Sequence, residues 1–221
     1  MEMSNTQCSS VTQEKNRVQK NGSLAADPRV AFFNHQAGHW DDDAREVAQT
    51  VASLEALRDR LRLAPGQDVL EMGCGTGRIT GWLAKTVCPG RVVAADFSPG
   101  MLEQAKKREL PVEFRLMDIC GEVFPLERFD TVFCFHSFPH FRDQPRALQN
   151  MSGLLKPGGR LIILHLASST ELNDFHGHLS HPICHDHVPP KSICTEMLAA
   201  AGLRIESFTD EPGLFLLVAS A

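Results

Sequence analysis

The chain has 221 residues, of which 43% are hydrophobic and 22% charged, so it can bury a sizeable core without disulfide bonds. Its formal net charge of -5 argues against a nucleic-acid partner, because proteins that bind nucleic acids favour a basic face. The N-terminus lacks the apolar segment of a secretory signal, and no apolar run approaches the roughly 20 residues of a membrane span. We therefore expect a cytoplasmic protein with no membrane span.

The first part of the chain predicts a tail followed by helices. Residues 1–27 are polar, so we expect a disordered tail, and we expect residues 28–221 to form a single domain. Asp27 can cap a helix that has Pro28 at its first position. Further along, apolar residues recur every three or four positions, which is typical of an amphipathic helix. These patterns predict N-terminal helices over residues 28–63.

From Pro65 onward, short apolar runs alternate with helical patterns. The strand-like runs are DVLEMG, RVVAAD, PVEFRLMD, FDTVFCFHSF, RLIILHL, RIESFTDE and GLFLLVAS. Alternation of this kind predicts an α/β fold with a mostly parallel sheet and helices on both faces. The exception is residues 167–189, which exceed the usual short connection between a strand and the next helix. Long insertions are often functional, so we interpret this one as a candidate lid.

The seven cysteines are scattered, odd in number and without a CxxC pair. Several lie inside apolar runs, where a thiol packs as a small hydrophobic side chain. This pattern is typical of free, buried thiols in a reducing compartment.

A glycine-rich turn follows the first predicted strand, in the stretch LEMGCGTGR. Gly73, Gly75 and Gly77 allow a tight turn and a close approach of the backbone to a ligand. The second strand ends in Asp96, whose carboxylate can accept two hydrogen bonds from a ribose diol. A dinucleotide fingerprint would need glycine where this chain has Arg78, so a nucleoside without a pyrophosphate fits the turn better.

Five segments in order resemble the motifs of class I S-adenosylmethionine-dependent methyltransferases. They are VLEMGCGTGR, VVAADFSPGML, FRLMDI, FDTVFCFHSFPHF and LLKPGGRLII. The resemblance implies a Rossmann-like, seven-stranded sheet with an antiparallel last strand, covered by an N-terminal helical cap. It also implies S-adenosyl-L-methionine as the cofactor.

The resemblance assigns cofactor-binding roles position by position. The backbone of the turn, including Cys74, would face the methionine part of the cofactor, with Glu71 organising the turn. Asp96 would hold the ribose. The remaining implied contacts are Phe97 and Met101 on the adenine ring, Asp118 and Ile119 at its edge, and His136 between cofactor and substrate.

Eight of the ten histidines lie between His136 and His187, and five of them fall in HGHLSHPICHDH. Three interpretations stay open for that cluster: a metal site, a lid that contacts substrate, or a surface loop that happens to be rich in histidine. We favour the lid and predict no bound metal, because Pro182 breaks any helix that would align the rings. Among the histidines, His140 and His185 join His136 as candidate catalytic residues, with His185 pointing inward and His176 and His178 solvated.

The sequence favours methyl transfer to a small-molecule acceptor by in-line displacement. The [DN]PP[YF] motif of amino-group nucleic-acid methyltransferases is absent; the corresponding stretch reads HSFPHF. Acceptors based on carbon, nitrogen, oxygen or sulfur all stay open, and so do a monomer and a homodimer. The alternatives to a methyltransferase are a cofactor-binding scaffold without catalysis and a nucleotide-linked oxidoreductase.

Overall fold

A computed structural model describes residues 27–41, 44–121 and 128–221 of the chain. The expected polar tail therefore lies outside the described residues, except for Asp27. The helices are α1 (Pro28–Gln36), α2 (Ala44–Ala56), α3 (Arg58–Leu61), α4 (Thr80–Val87), α5 (Pro99–Lys106), α6 (Gln144–Gly153), α7 (Ser169–Gly177) and α8 (Lys191–Ala200). The strands are β1 (Val69–Met72), β2 (Val92–Asp96), β3 (Glu113–Leu116), β4 (Phe129–Phe135), β5 (Leu155–His165), β6 (Arg204–Glu211) and β7 (Leu214–Ser220).

The seven strands form one sheet in the order β3-β2-β1-β4-β5-β7-β6. Strands β1 to β5 pair in parallel, and β7 runs antiparallel to both of its neighbours. The expected Rossmann-like architecture is thus confirmed, including its antiparallel last strand. The order of strands reverses between β1 and β4, and in open α/β sheets ligands bind beyond the carboxyl ends of the strands at such a point.

Helices cover both faces of the sheet because the strand residues alternate between two cores. Val69 and Phe133 pack with Leu54 of α2 and Leu83 of α4 on one face. On the opposite face, strand residues pack with α6 and α8 in a cluster that includes Leu70, Cys134, Leu148 and Leu198. Strands β1 and β4 contribute to both faces, which explains why their sequences read as continuous apolar runs.

The N-terminal helices form as expected, with one difference. Asp27 caps α1, accepting a hydrogen bond from the backbone N–H of Arg29 at 3.0 Å. The amphipathic segment divides at Leu57 into α2 and α3, and α3 ends at Leu61, followed by the C-cap residue Arg62, whose φ is 49°. Helix α1 is fixed to the start of α5, because Asn34 Oδ1 accepts hydrogen bonds from Ser98 Oγ and Gly100 N, both at 2.8 Å.

Residues 167–189, which we call the lid segment, are more ordered than the sequence suggested. Helix α7 begins with a capping box in which Ser168 and Glu171 bond to each other's backbone N–H. The remainder of the segment folds back on this helix, and the side chain of Asn173 exchanges two hydrogen bonds with the backbone of Val188. The candidate lid therefore contains a helix, α7, and a following stretch that is hydrogen-bonded to it.

Two further expectations concern the composition of the chain. The six cysteines within the described ranges are free thiols, and three of them, Cys74, Cys134 and Cys194, are buried. Within the same ranges, no helix is long and apolar enough to cross a membrane.

Candidate active site

The glycine turn joins the ends of β1 and β4. Gly73 has a φ of 78°, and a Cβ atom there would lie 2.3 Å from the Cβ of Ser137. Ser137 in turn donates a hydrogen bond from Oγ to the carbonyl of Met72 at 2.8 Å. Because no side chain fits between the two segments, glycine is required at position 73 for this close approach.

The other two glycines of the turn differ in what they face. Gly75 has a φ of 55° and lines the main cavity, and a Cβ atom there would meet no heavy atom within 4 Å. Gly77 has a φ of 79°, but its missing Cβ faces Ala105 of α5 at 3.3 Å. The backbone around Gly75 is therefore open to a ligand, whereas Gly77 lets α5 pack closely against the turn.

Asp96 fastens the turn and also lines the cavity. Its two carboxylate oxygens accept hydrogen bonds from Gly75 N and Ser98 N, both at 2.8 Å. Burial raises the pKa of Asp96 to about 6, although these backbone N–H groups oppose the rise. The carboxylate keeps lone pairs for a ligand, since each carboxylate can accept about four hydrogen bonds.

Glu71 lies behind the turn, and the cavity does not reach it. It accepts a hydrogen bond from Thr80 Oγ1 at 2.6 Å, which ties β1 to the first residue of α4. Burial raises the pKa of Glu71 to about 8, so the side chain is mostly protonated at neutral pH. This placement agrees with a role in organising the turn.

Some of the residues that the resemblance assigns to adenine line the main cavity, and the others line a small pocket beside it. Phe97 and Met101 line the main cavity, as Cys74 does. Asp118 and Ile119 instead line a small adjoining pocket, which shares Gly73, Phe97, His140 and Phe141 with the main cavity. The carboxylate of Asp118 is engaged by Arg142, which donates hydrogen bonds at 2.9 and 2.5 Å.

Arg78, at the position where a dinucleotide fingerprint would have glycine, binds acidic side chains of the N-terminal region. Its guanidinium donates to Asp41 at 2.7 Å and to Glu46 at 2.9 Å, both of which belong to the N-terminal region. Asp41 also bonds Thr76 Oγ1 within the turn. The N-terminal cap is therefore fixed directly to the glycine turn, and Trp40 beside it lines the cavity.

The main cavity has a volume of about 710 Å³ and lies between the turn, the N-terminal helices, the end of β4 and the lid segment. Sites for small molecules typically have volumes of about 300 to 1,000 Å³, so a cavity of about 710 Å³ is large enough to hold a small-molecule ligand. The lid segment contributes Leu172, Phe175, His176, Leu179 and Ile183. Aromatic side chains from other elements are Phe32, Phe33, Phe135 and Phe141.

Three histidines line this cavity, and they are not the three that the sequence favoured. His136 and His140 lie there as expected. His185 is exposed and does not line the cavity, so the expectation that it points inward is not met. His176 takes that place and is 4% exposed, which corrects the expectation that it is solvated; His178 is exposed as expected. Helix α7 causes the difference, because its geometry turns His176 toward the cavity.

His140 belongs to a chain of hydrogen bonds that ends in the N-terminal helix. Its Nδ1 lies 2.9 Å from Oδ2 of Asp186, a side chain that is 1% exposed. The guanidinium of Arg29 donates to the same carboxylate, with Nε at 3.0 Å from both oxygens. Burial alone would raise the pKa of Asp186, but the hydrogen bonds and charges of His140 and Arg29 outweigh it and lower that pKa. The ionised carboxylate fixes the proton of His140 on Nδ1 and leaves Nε2 available.

His136 is held in a different way. Its Nε2 accepts a hydrogen bond from the backbone N–H of Leu166 at 3.2 Å, and its φ is 53°. Burial, reinforced by the charge of Arg78, lowers the pKa of His136 to about 4, so this ring is neutral at physiological pH. With Nε2 already occupied, His136 is a poorer proton acceptor than His140.

The described residues contain no cluster of three or more histidine, cysteine or acidic side chains that could hold a metal ion. The cavity brings together the turn, the buried carboxylate of Asp96 and the histidines. The open backbone at Gly75 beside that carboxylate suits a ligand that carries a ribose and an amino-acid part.

Comparison with known proteins agrees with this geometry. Residues 69–159 match the family model described as a methyltransferase domain. These residues form a methyltransferase domain, and the sheet topology agrees with the class I S-adenosylmethionine-dependent type. The domain and the proteins similar to this chain support S-adenosylmethionine as the cofactor and methyl transfer to a small molecule as the reaction. The oxidoreductase alternative is thereby set aside.

Individual relatives are similar at moderate identity. An O-methyltransferase of Aspergillus sclerotiorum, resE, is 29% identical over an alignment of 209 positions that covers 85% of this chain and 74% of the relative. The methyltransferase GfsG of Streptomyces halstedii is 30% identical over 152 residues, 64% of this chain and 54% of the relative. The chain thus spans about half to three quarters of these two relatives. The DhpI-SAM-HEP complex superimposes with a TM-score of 0.67 at 24% identity, covering 92% of this chain and 100% of that chain, which supports the fold.

Proposed function

We propose that this methyltransferase acts on a hydroxyl oxygen of an uncharged, largely apolar small molecule, and that His140 accepts the hydroxyl proton. The observation that carries the proposal is the contact of 2.9 Å between His140 Nδ1 and the buried carboxylate of Asp186 beside the cavity. A histidine held in this way has its free nitrogen ready to act as a general base.

An oxygen acceptor is the class that needs such a base. A hydroxyl group carries its proton at neutral pH and becomes a good nucleophile only when that proton is removed. His140 Nε2 has no hydrogen-bond partner among the described residues, and the ring also packs edge-to-face on Phe33 at 5.0 Å between centroids. These contacts hold the imidazole in one orientation while Nε2 stays free for the acceptor.

The charges around the cavity favour an uncharged acceptor. Arg78 and Glu46 are paired with each other, and Asp96 is held by backbone N–H groups. Once the cofactor ribose occupies Asp96, a charged acceptor would find no unpaired opposite charge among the described acidic and arginine residues of the lining. Phenylalanine, leucine and isoleucine line much of the remaining wall, which suits a hydroxylated aromatic ring.

The residues divide the work as follows. The Gly75 backbone and Asp96 would hold S-adenosylmethionine, which supplies a methyl group activated by its positive sulfur. The methyl group would pass to the acceptor oxygen, the electron pair of the broken bond would stay with the cofactor, and the hydroxyl proton would go to His140 Nε2. Asp186 stabilises the resulting imidazolium through Nδ1–H. The similarity to resE of Aspergillus sclerotiorum, an O-methyltransferase, supports the choice of oxygen.

The test compares two phenols that differ in acidity. Phenol keeps its proton in neutral buffer, whereas para-nitrophenol is largely ionised in mildly alkaline buffer and needs no base. We expect His140→Gln to lower the rate of methyl ether formation from phenol about 100-fold or more. The same variant should retain most of the rate with para-nitrophenol, measured by mass spectrometry.

A control variant and three outcomes make this test decisive. His178→Gln changes an exposed histidine outside the cavity and should leave both rates unaltered. Equal losses with the two phenols would contradict the role of His140 as a base. Methylation of amines, thiols or carbon acceptors but of no hydroxyl compound would contradict the choice of oxygen, and no transfer to any acceptor would favour a cofactor-binding scaffold.

Three wider expectations belong to the same proposal. The free thiols of the described part support a cytoplasmic location. The net charge of -5 supports a function without nucleic acid. We further propose that residues 28–221 form a single domain, as a monomer or a homodimer.

A further inference from the structure

Two imidazole rings are hydrogen-bonded to the same residue at the edge of the cavity. His140 Nδ1 contacts the carboxylate of Asp186, and His176 Nδ1 contacts the backbone carbonyl of the same residue. The two rings are 5.0 Å apart between centroids, and both line the cavity. We call His140 and His176 the imidazole pair.

The partners of the imidazole pair fix where its protons lie. A carbonyl oxygen only accepts hydrogen bonds, so Nδ1 of His176 must carry the proton, as Nδ1 of His140 does toward the carboxylate. Burial lowers the pKa of His176, so its ring is neutral at neutral pH. Each ring therefore keeps Nε2 as an acceptor, and neither Nε2 is bonded to another residue in the described part of the chain.

Two acceptors side by side require two donors side by side. Both rings are fastened to Asp186, so their free nitrogens belong to the same wall of the cavity. Neither Nε2 is among the fully buried unpartnered atoms of the described residues, so both are open to the cavity. An acceptor molecule that displaces water from them has to donate to both nitrogens, because an acceptor atom left without a donor costs free energy. Hydroxyl groups on neighbouring ring carbons point to one side, whereas hydroxyl groups at opposite ends of a ring diverge.

We propose that the acceptor carries two neighbouring hydroxyl groups, as in a catechol, and that His176 binds the hydroxyl that is not methylated. This inference rests on the proposed function, because it takes the hydroxyl bound by His140 as the one that reacts. In the proposed arrangement His176 selects and orients the acceptor, and it takes no proton in the reaction.

The test measures binding, so it does not depend on turnover. Catechol, hydroquinone and phenol would be titrated into the full-length protein saturated with S-adenosylhomocysteine, with ascorbate present to prevent oxidation, and followed by NMR. Catechol and hydroquinone have the same composition and differ only in where the second hydroxyl lies. We expect catechol to bind about fivefold more tightly than either of the others, since one added hydrogen bond gives an effect of this order.

The variant His176→Asn removes Nε2 and keeps the hydrogen bond that Nδ1 makes in the parent. Its amide can still donate to the carbonyl of Asp186, but it has no atom at the position of Nε2. We expect it to lower the affinity for catechol to that for phenol and to leave phenol binding within about twofold of the parent. The control is His178→Asn, because His178 Nδ1 also contacts a backbone carbonyl, that of Asp174 at 2.7 Å, but lies outside the cavity.

Each outcome decides between specific statements. If the parent protein binds catechol no better than phenol, the inference about neighbouring hydroxyl groups is wrong while the proposed function stands. Equal weakening of catechol and phenol by His176→Asn would assign His176 a purely structural role and would also overturn the inference. If none of the three compounds binds, the hydroxylated aromatic acceptor of the proposed function is itself contradicted.

Discussion

At the scale of single residues, Asp96 combines two demands on one carboxylate. It closes the glycine turn through Gly75 N and Ser98 N, and it faces the cavity where the proposed ribose contact would form. A buried carboxylate with a pKa of about 6 ionises less readily than an exposed one, because burial disfavours the charged form. The number of hydrogen bonds that Asp96 can accept therefore changes near pH 6.

This coupling predicts that cofactor affinity depends on pH. Protonation of Asp96 removes an acceptor for the ribose hydroxyls, and it occurs as the pH falls through about 6. We expect the dissociation constant of S-adenosylhomocysteine, measured by calorimetry, to be constant above about pH 7 and to rise up to tenfold per pH unit below about pH 6.

The matched variants for this prediction are Asp96→Asn and Asp130→Asn. Asparagine at position 96 keeps one oxygen acceptor for the turn, and we expect about tenfold weaker binding at neutral pH with little dependence on pH. Asp130 pairs with Lys156 at 2.8 Å, at the other end of β4, so its variant should bind as the parent does. If Asp96→Asn and the parent showed the same pH profile, the pH dependence of cofactor affinity would not come from Asp96.

The turn and Asp96 could be anticipated from spacing, whereas the choice among histidines could not. A glycine turn after one strand and an acid at the end of the next are features of the chain itself, and their meeting follows from parallel strands. Nothing in the sequence distinguishes the five histidines from His176 to His187 from one another. Only the phase of α7 and its packing on Asp186 distinguish the buried His176 from the exposed His185.

At the scale of elements, the lid segment and α1 depend on each other through one ion pair. Arg29 of α1 reaches Asp186 of the lid segment, and the two side chains are 20% and 1% exposed. Removing the arginine would leave a buried carboxylate with His140 as its remaining side-chain partner. A buried group that loses a charged partner costs about 1–3 kcal/mol or more.

We therefore expect Arg29→Met to loosen the lid segment specifically. Amide hydrogen exchange should become faster in residues 178–189 and stay unaltered in β1 and β4, and the melting temperature should fall by about 2–8 °C. The control is Arg58→Met, which breaks an exposed pair with Glu55 in which both side chains are 47% exposed and should shift the melting temperature by less than about 2 °C. Unchanged exchange in residues 178–189 would show that the ion pair does not hold the lid segment.

Most elements were readable from the sequence, and α7 was missed although its signal was present. Ser168 and Glu171 have the spacing of a capping box, which marks the start of a helix. The hydrogen bonds that fold the rest of the lid segment back on α7, such as those of Asn173 with Val188, join residues 15 apart and have no local pattern.

At the scale of the whole molecule, the cavity is built from parts of the chain that are distant in sequence. The reversal of strand order brings the ends of β1 and β4 together, while α1 and the lid segment close the space above them. No one of these parts encloses the site alone. A ligand that fills the cavity should therefore stabilise all of them at once.

This arrangement predicts a distributed response to S-adenosylhomocysteine. At a concentration 100 times its dissociation constant, a ligand that binds only the folded state stabilises it by about 2.7 kcal/mol, which is about 5–10 °C in a chain of this size. Hydrogen exchange should slow in three separate regions, namely α1, the turn over residues 73–77 and the lid segment. NAD is the matched control, because its ribose could reach Asp96 while its pyrophosphate would meet Arg78 where a fingerprint glycine is needed. Protection confined to the turn would mean that α1 and the lid segment do not close on the cofactor, and an equal thermal shift with NAD would contradict selectivity for the adenosyl amino acid.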